Sequence, residues 1–288
     1  VSAENLVNNR NSRNFWCNVK GIGSWSLTGN AAEALSKKFT EMQDDSEVTA
    51  GFMWQKTTRE SKKYQLRGEI LSFIPVEKNV EVMLVTITNT GRMAQTVTPT
   101  AAIPLYGRSA DNIRDHRHVT SLLHRIETTD IGVLVTPTLS FDERGHQVNH
   151  MTYYCVGWSG NGEKPVDFYP TAEDFVGEGG NFERPYAIVK NAEGVKAGTR
   201  IEGLEAVGGL HFSEVTLEPE EECSYLIFTG ITEDIQEIRN LSKTYTTREM
   251  VLEELEKTKA YWQEKVNVAY HTGDSDFNQF IDVIYPII

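Results

Sequence analysis

The chain has 288 residues, of which 39% are hydrophobic and 24% charged, and its formal net charge at pH 7 is −13. This composition is that of a globular protein with enough apolar residues for a sizeable core. An acidic balance lacks the basic surface that attracts nucleic acids and anionic membranes, and no apolar run approaches the roughly 20 residues of a membrane-spanning helix. We therefore expect no nucleic acid and no membrane among its partners.

The two ends and the three cysteines indicate the natural context of the chain. Val1 is not a Met, and "FNQFIDVIYPII" ends in apolar residues without a helix-ending Gly, so we expect the natural protein to continue beyond Ile288. Cys17, Cys155 and Cys223 are odd in number and far apart, which argues against a disulfide framework and against a CxxC metal site. Buried free thiols in a reducing environment predict a cytoplasmic location.

Short β-strands separated by turn residues are predicted from about residue 15 to residue 230. In "NVEVMLVTITNTGRMAQTVTPTAAIPLYG", two strand patterns flank a turn at Asn89-Thr90-Gly91, and the first strand is apolar on both faces, as expected of a strand in the middle of a layered structure. Such a series favours a large antiparallel sandwich over βαβ units. Further strands are predicted, in chain order, at "SEVTAGFMWQKTTR", "KKYQLRGEILSFIP", "DIGVLVTPTLSF", "HMTYYCVGWSG", "YAIVKN", "EAVGGLHFSEVTLEP" and "ECSYLIFTGI".

The pattern changes to helical after Gly230. "TEDIQEIRNLSKTY" and "TTREMVLEELEKTKAYWQEKV" have helical periodicity, and Val251, Leu255, Trp262 and Val266 form one apolar stripe on the second helix. A helix with one such stripe and charged residues elsewhere is expected to lie on a domain face. "GDSDFNQFIDVIYPII" predicts the start of another helical element.

One segment, "RSADNIRDHRHVTSLLHR" from Arg108 to Arg125, is cationic and rich in histidine within an acidic chain. His116 and His118 have a spacing that two metal ligands could use on a strand, but the neighbouring arginines disfavour a cation, so we expect no metal. Arg117 with the two histidines suits an anion or sugar hydroxyls, because guanidinium and imidazole groups offer fixed hydrogen-bond donors. The alternative is that these charges only brace the loop, through Asp111, Asp115 and Glu127.

The motifs of self-sufficient catalysis are missing from the sequence. It contains no GxSxG, no P-loop, and no GxGxxG that opens a helix after a strand. "FVGEGGNFERP" is rich in glycine, but it lacks a Lys-Ser/Thr ending and we predict no helix after it. Trp16, Trp25, Trp54 and Trp158 are expected mainly in the core, with a binding role for one of them at most.

The order of several segments resembles the family 94 glycoside phosphorylases, which include cellobiose, laminaribiose and cellodextrin phosphorylases. The matching stretches are "GSWSLTG", "LSFIPVEKNVEVMLVTITNTG", "EDFVGEGGNFERP", "LEAVGGLHFSEVTLEPEEECSYLIFTGI" and the helix ending "AYWQEKV". The resemblance implies a mainly β fold, a large antiparallel super-β-sandwich followed by linker helices and the start of an (α/α)6 barrel. The implied domains are the sandwich at 1–230, linker helices at 231–270 and a truncated catalytic barrel from 271–288.

The resemblance also implies an activity. Members phosphorolyse a β-glucoside with inversion to α-glucose 1-phosphate, using inorganic phosphate as co-substrate and no metal or organic cofactor. The general-acid aspartate belongs to the barrel, so we expect it downstream of Ile288, no catalytic residue in this chain, and no activity of this piece alone. A homodimer is expected. In the cationic segment, Arg117 matches the family's arginine near the acceptor sugar, His116 replaces a glutamine, and His118 is a further substrate-binding candidate.

Two other functions stay open at this point. One is a non-catalytic carbohydrate-binding or structural sandwich, and the other is a glycoside hydrolase or lyase with the same sandwich-plus-barrel layout.

Overall fold

The computed structural model describes residues 13–107, 121–142, 145–265 and 271–284. Its strands are β1 Asn14–Val19, β2 Gly23–Ser26, β3 Asp45–Gly51, β4 Trp54–Ser61, β5 Leu66–Phe73, β6 Val80–Asn89, β7 Gln95–Leu105, β8 Arg125–Thr128, β9 Gly132–Val135, β10 Leu139–Asp142, β11 Gly145–Val148, β12 Thr152–Ser159, β13 Asp167–Thr171, β14 Arg200–Glu202, β15 Ala206–His211, β16 Val215–Leu217 and β17 Glu222–Thr232. Its helices are α1 Ala32–Ser36, α2 Ala172–Val176, α3 Tyr186–Lys190, α4 Ile235–Thr244, α5 Arg248–Lys265 and α6 Ser275–Ile284.

Two large sheets form the sandwich, and every strand pairing among the described residues is antiparallel. The nine-stranded sheet has the order β14-β8-β9-β12-β17-β6-β5-β4-β3, and the six-stranded sheet has the order β13-β15-β7-β1-β2 with β16 beside β7. The main core lies between the sheets and draws on both, for example on Phe15 and Leu210 from one and on Val85 and Ile227 from the other. The predicted antiparallel super-β-sandwich is therefore confirmed.

Strand β6 confirms the prediction made from its two apolar faces. Its side chains at Met83, Val85 and Ile87 enter the core between the sheets. The alternate residues, including Val82 and Leu84, belong to a second core on the opposite face of the same sheet. With β5 and β17 on either side, β6 is a central strand buried on both faces.

The turn after β6 carries the chain from one sheet to the other. Asn89 is fully buried, its side-chain oxygen accepts a hydrogen bond from the Gly91 N–H at 2.9 Å, and its amide donates to the carbonyls of Met93 and Leu217. A short side chain that satisfies several backbone groups at once stabilises a tight turn. β7 then joins the six-stranded sheet.

Helices α4 and α5 pack on the outer face of the nine-stranded sheet. Val251 and Leu255 of α5 are buried there, as the apolar stripe predicts, whereas Trp262 of the same stripe is half-buried and Val266 lies outside the described residues. Thr258 continues the buried face, with its hydroxyl bonded to the Glu254 carbonyl at 2.9 Å. Trp158 of β12 donates from its indole N–H to the Tyr245 carbonyl at 2.8 Å, tying the sheet to the link between the two helices. The division of the chain at residues 230 and 270 stays a prediction.

The stretch "YAIVKN" corrects the sequence analysis, because the predicted strand is helix α3. Pro185 stands immediately before this helix, and Asn191 ends it in a left-handed conformation with φ of 46°. Pro at a helix start and Asn at its end are strong boundary signals, and here they outweigh the strand preference of Ile188 and Val189. A helix therefore does follow the glycine-rich "FVGEGGNFERP", so the prediction that no helix comes after this stretch was also wrong.

Three other predicted strands each prove to contain two strands, and one of them, "DIGVLVTPTLSF", contains β9 and most of β10. "SEVTAGFMWQKTTR" forms the hairpin of β3 and β4, and "EAVGGLHFSEVTLEP" contains β15 and β16. None of the helices in the described ranges combines the length and the hydropathy that crossing a membrane requires.

Candidate functional site

The candidate substrate-binding residues His116, Arg117 and His118 lie outside the described residues, in the range 108–120. The structure shows where that segment leaves the sandwich and where it returns. It follows β7 of the six-stranded sheet and precedes β8 of the nine-stranded sheet, so it links the two sheets. Its binding role stays a prediction, and so does the expectation that it holds no metal.

The C-terminal end of the cationic segment is anchored through His124. This residue is only 3% exposed, and its ring Nδ1 lies 3.1 Å from the Leu204 carbonyl oxygen. The His124 carbonyl accepts hydrogen bonds from the Gly203 N–H at 3.0 Å and from the Arg125 guanidinium at 2.9 Å. His124 is thus a core histidine that fixes the position at which the chain re-enters the sandwich before β8.

The two ends of the segment come close together at Gly107. A Cβ atom placed on Gly107 would lie 2.8 Å from the Pro137 ring and 3.2 Å from the His124 ring. Both distances are shorter than an ordinary carbon contact, so any larger residue would push the chain after β7 away from Pro137 and His124. Because residue 107 is a glycine, the chain just before the 108–120 range can pack against the chain that follows this range, at His124.

Two charged residues beside the segment form ion pairs within the sheet. Arg125 lies 3.4 Å from the Glu202 carboxylate, and Glu127 lies 3.3 Å from Arg200, both across the β8–β14 pair. These partners belong to β14. Arg125, the last residue of the segment, and Glu127 therefore brace the β8–β14 pair. Asp111 and Asp115 lie outside the described residues, so bracing of the segment through them stays a prediction.

The glycine-rich stretch forms a compact loop, here called the 177–184 loop, between α2 and α3. Thr171 begins α2 by accepting the Asp174 N–H at 3.0 Å, and Gly177 ends it with φ of 76°. A Cβ atom on Gly180 would lie 1.9 Å from the Val176 carbonyl oxygen, so this position requires glycine. The glycines therefore serve the fold of the loop, and no phosphate-binding motif is needed to explain them.

Side-chain contacts within the loop and to helix α2 hold this loop in shape. Asn181 accepts the N–H groups of Glu183 and Arg184 at 3.0 and 2.9 Å, and the Phe182 ring lies 5.8 Å from Phe175. The tip leaves polar groups exposed, at Glu178, Asn181 and Arg184. A braced loop with an exposed polar tip is a common way of presenting groups to a ligand.

The structure brings the two segments together at one end of the sandwich. A single small cavity is lined by Tyr106 and Ser121, on either side of the 108–120 range, by His124, and by Phe182 from the 177–184 loop. We call the surface formed by these four residues the loop rim. It was not predicted, because the contact depends on β7 and β15 pairing across about a hundred residues of sequence.

The tryptophans and cysteines occupy the places predicted for them. Trp16, Trp25 and Trp158 are at most 3% exposed, while Trp54 is half-buried with the Lys259 ammonium 4.7 Å from its ring centroid. All three cysteines are free, and burial raises the pKa of the Cys223 thiol to about 12. A thiol with so high a pKa is protonated at neutral pH and is not a nucleophile.

Within the described residues, no group of three or more His, Cys, Asp and Glu side chains is arranged to hold a metal ion. The exposed polar groups at the tip of the 177–184 loop are of the kind that position a ligand.

No curated protein sequence matches the chain. Among solved structures, a bacterial glucoamylase complexed with acarbose matches 88% of this chain with a TM-score of 0.46 and 9% identity. A polysaccharide lyase matches 79% with a TM-score of 0.38 and 11% identity. The chain covers 33% and 26% of those two proteins, respectively.

The family comparison covers most of the sandwich. Residues 22–248 match the family described as "Glycosyl hydrolase 94, supersandwich domain", from just before β2 to the first residue of α5. That range includes the 177–184 loop, the cationic segment and every strand of the two large sheets except β1. The chain belongs to the glycosyl hydrolase 94 supersandwich family.

Proposed function

We propose that this chain is the N-terminal part of an inverting glycoside phosphorylase that converts a β-glucosidic disaccharide or oligosaccharide to α-glucose 1-phosphate. The observation that carries the proposal is the family match over residues 22–248, together with the helices that follow the sandwich. Inorganic phosphate is the co-substrate, and no metal or organic cofactor takes part. The three free cysteines support a cytoplasmic enzyme.

In this proposal the sandwich supplies recognition, and the residues downstream supply the chemistry. The general-acid aspartate lies beyond Ile288, and the loop rim contributes to the wall of the acceptor-sugar end of the cleft. Arg117 is the residue we assign to acceptor contact, with His116 and His118 beside it. Gly107 and His124 support the proposal only by fixing where the chain leaves and re-enters the sandwich on either side of these residues.

Synthesis in the reverse direction tests the function and identifies the acceptor. The full-length protein is incubated with α-glucose 1-phosphate and a panel of acceptor sugars, and released phosphate is measured. We expect release with glucose or a short β-glucan, and the linkage of the product names the substrate. Hydrolysis of β-glucosides without any phosphate dependence would favour a hydrolase of the same layout. Tight β-glucan binding by the 288-residue chain, without turnover by the full-length protein, would favour a non-catalytic module.

A further inference from the structure

A cavity of about 290 Å³ lies between helix α4 and the turn that precedes β6. We call it the α4 cavity. It is lined by residues 77–79 of the turn, by one face of α4, and by Tyr154 of β12 and Tyr245. Its volume is near the lower end of the roughly 300 to 1,000 Å³ found for small-molecule sites, so it suits a ligand of a single ring rather than an extended chain.

The α4 wall of the cavity carries polar groups at a helical spacing. Glu237, Asn240 and Thr244 are three and four residues apart, so they share one face of the helix. The buried Ile238 beside them packs into the core on the outer face of the nine-stranded sheet. The Glu237 carboxylate is held in place because its Oε2 accepts a hydrogen bond from the Thr232 hydroxyl at 2.5 Å. This wall is therefore fixed to the sandwich and presents its polar groups to the cavity.

The Tyr154 hydroxyl is the group that indicates a ligand. The Tyr154 side chain is only 4% exposed, and no described residue forms a hydrogen bond with its hydroxyl. Burial, with a smaller contribution from the negative charge of Glu237, raises the pKa of this phenol to about 12, so it is protonated at neutral pH and can donate. Buried hydroxyls are almost always hydrogen-bonded. A donor at the wall of a cavity, without a partner in the described part of the chain, therefore points to an acceptor on a ligand.

Gly230 provides the space that this hydroxyl occupies. It pairs with Tyr154 across β12 and β17, and a Cβ atom on Gly230 would lie 2.5 Å from Tyr154 Oη and 2.6 Å from the Asn79 carbonyl oxygen. Both distances are shorter than an ordinary contact, so any side chain here would displace the phenol or the turn. The glycine therefore keeps the hydroxyl at the cavity, close to Asn79.

The charges of the cavity disfavour two classes of ligand. Lys78 is the cation in its lining, and it donates to the Tyr245 hydroxyl and, at 3.1 Å, to the Glu254 carboxylate, so its charge is already compensated. Glu77 and Glu237 carry negative charge, which disfavours a phosphate or carboxylate ligand. No set of three metal-ligating side chains occurs there or elsewhere among the described residues. A neutral ligand fits the cavity best.

We propose that the α4 cavity binds a neutral sugar through a single pyranose ring. Sugar hydroxyls both donate and accept hydrogen bonds, and the cavity offers the Tyr154 hydroxyl as donor, the Glu237 carboxylate as acceptor and the Asn240 amide as both. A sugar held in this way connects α4 to β12. The proposal does not rest on the reaction that the full-length protein catalyses, because it uses only groups of the cavity itself.

Fluorine NMR of the full-length protein tests this site directly. 3-Fluorotyrosine is incorporated in place of Tyr154, and D-glucose, D-galactose and D-mannose are titrated one at a time in a buffer without phosphate. The fluorine atom is next to the hydroxyl, so its chemical shift responds to a hydrogen bond formed there. We expect a saturable shift with at least one of the three sugars.

The matched control is 3-fluorotyrosine in place of Tyr64. The Tyr64 hydroxyl already donates to the Ser24 carbonyl at 2.9 Å and does not line the cavity, so we expect no shift at this position. The absence of a saturable shift at position 154, or an equal shift at both positions, overturns the proposal.

Two substitutions on α4 distinguish a sugar in this cavity from a change transmitted from another site. Asn240→Ala removes an exposed lining amide, and Ser242→Ala is the control on the same helix, where the hydroxyl donates to the Arg239 carbonyl at 3.0 Å. With fluorine at position 154, we expect Asn240→Ala to raise the sugar dissociation constant at least about threefold and Ser242→Ala to leave it within about twofold, because only the first removes a hydrogen bond to the sugar. A smaller increase for Asn240→Ala, or an equal increase for both, overturns the proposal. Since the buffer contains no phosphate, the result is independent of whether the protein is a phosphorylase.

Discussion

Leu255 tests the contact between helix α5 and the sandwich. Its side chain is 4% exposed and belongs to the core that joins the helix to β6, β12 and β17, near Val251 and Phe228. Leu255→Ala removes three carbon atoms from this core without altering a hydrogen bond. The substitution therefore isolates the apolar contribution of the helix contact.

The expected loss follows from the burial of Leu255. At about 0.8 kcal/mol for each buried carbon, the removed atoms account for about 2.4 kcal/mol, and the cavity left between helix and sheet adds to this. We expect Leu255→Ala to lower the free energy of unfolding by about 3 kcal/mol. Leu252 on the same helix is only partly buried, so Leu252→Ala leaves no closed cavity and should cost less than half as much.

Urea unfolding of the two variants, followed by tryptophan fluorescence, compares these losses directly. Trp158 reports on the contact, because its indole N–H is bonded to the Tyr245 carbonyl next to α5. Equal losses for Leu255→Ala and Leu252→Ala would refute the inference that the buried stripe holds the helix. A loss below about 1 kcal/mol for Leu255→Ala would refute it as well.

Three further predictions concern the core, the pH dependence and the proposed acceptor contact. A Cβ on Gly208 would lie 2.2 Å from the Cys155 Cβ. Gly208→Ala should therefore lower the free energy of unfolding, measured in urea, by about 1–3 kcal/mol. Partial burial acts to raise the pKa of Glu33, but hydrogen bonds from two lysines and a tyrosine lower it to about 2. The stabilisation from Glu33 is therefore present above about pH 4.3 and is lost as the pH falls towards 2, a dependence that Glu33→Gln should reduce in acid unfolding curves. Arg117→Ala in the full-length enzyme should raise the KM for the acceptor sugar about tenfold to a hundredfold, the effect of losing a charged hydrogen bond worth about 1.5–3 kcal/mol.

Each of these predictions has an outcome that contradicts it. Cys155→Gly removes the atom in closest conflict, so it should partly rescue Gly208→Ala, and a lack of rescue would show that the conflict lies elsewhere. An acid unfolding curve identical for Glu33→Gln and wild type would exclude the carboxylate network as a source of stability. An unchanged acceptor KM for Arg117→Ala would mean that the cationic segment only braces the structure.

Most of the sandwich could be predicted because patterns within short stretches of sequence indicate its strands and helices. β6 shows its central position by carrying apolar residues on both faces, from Val80 to Ile87, and α5 shows its docked face through Val251 and Leu255. The helix α3 was missed because strand preference was read from Ile188 and Val189 without weighing the boundary residues on either side. Whether a short segment forms a helix or a strand is decided more by such boundary residues than by the residues inside it.

The loop rim could not be predicted from the sequence in the same way. Gly107, His124 and Phe182 come together only because β7, β8 and β15 hold distant parts of the chain at one end of the sandwich. No local pattern encodes that proximity. Position 107 requires glycine because of its contact with the His124 ring, and only the folded structure shows that contact.

Phosphorus NMR of the full-length protein with a β-glucosidic disaccharide and inorganic phosphate tests the central claim most directly. We predict that one phosphate is consumed for each bond cleaved and that the sugar phosphate formed has the α configuration. Release of free glucose with no loss of phosphate, or formation of the β anomer, would contradict the account.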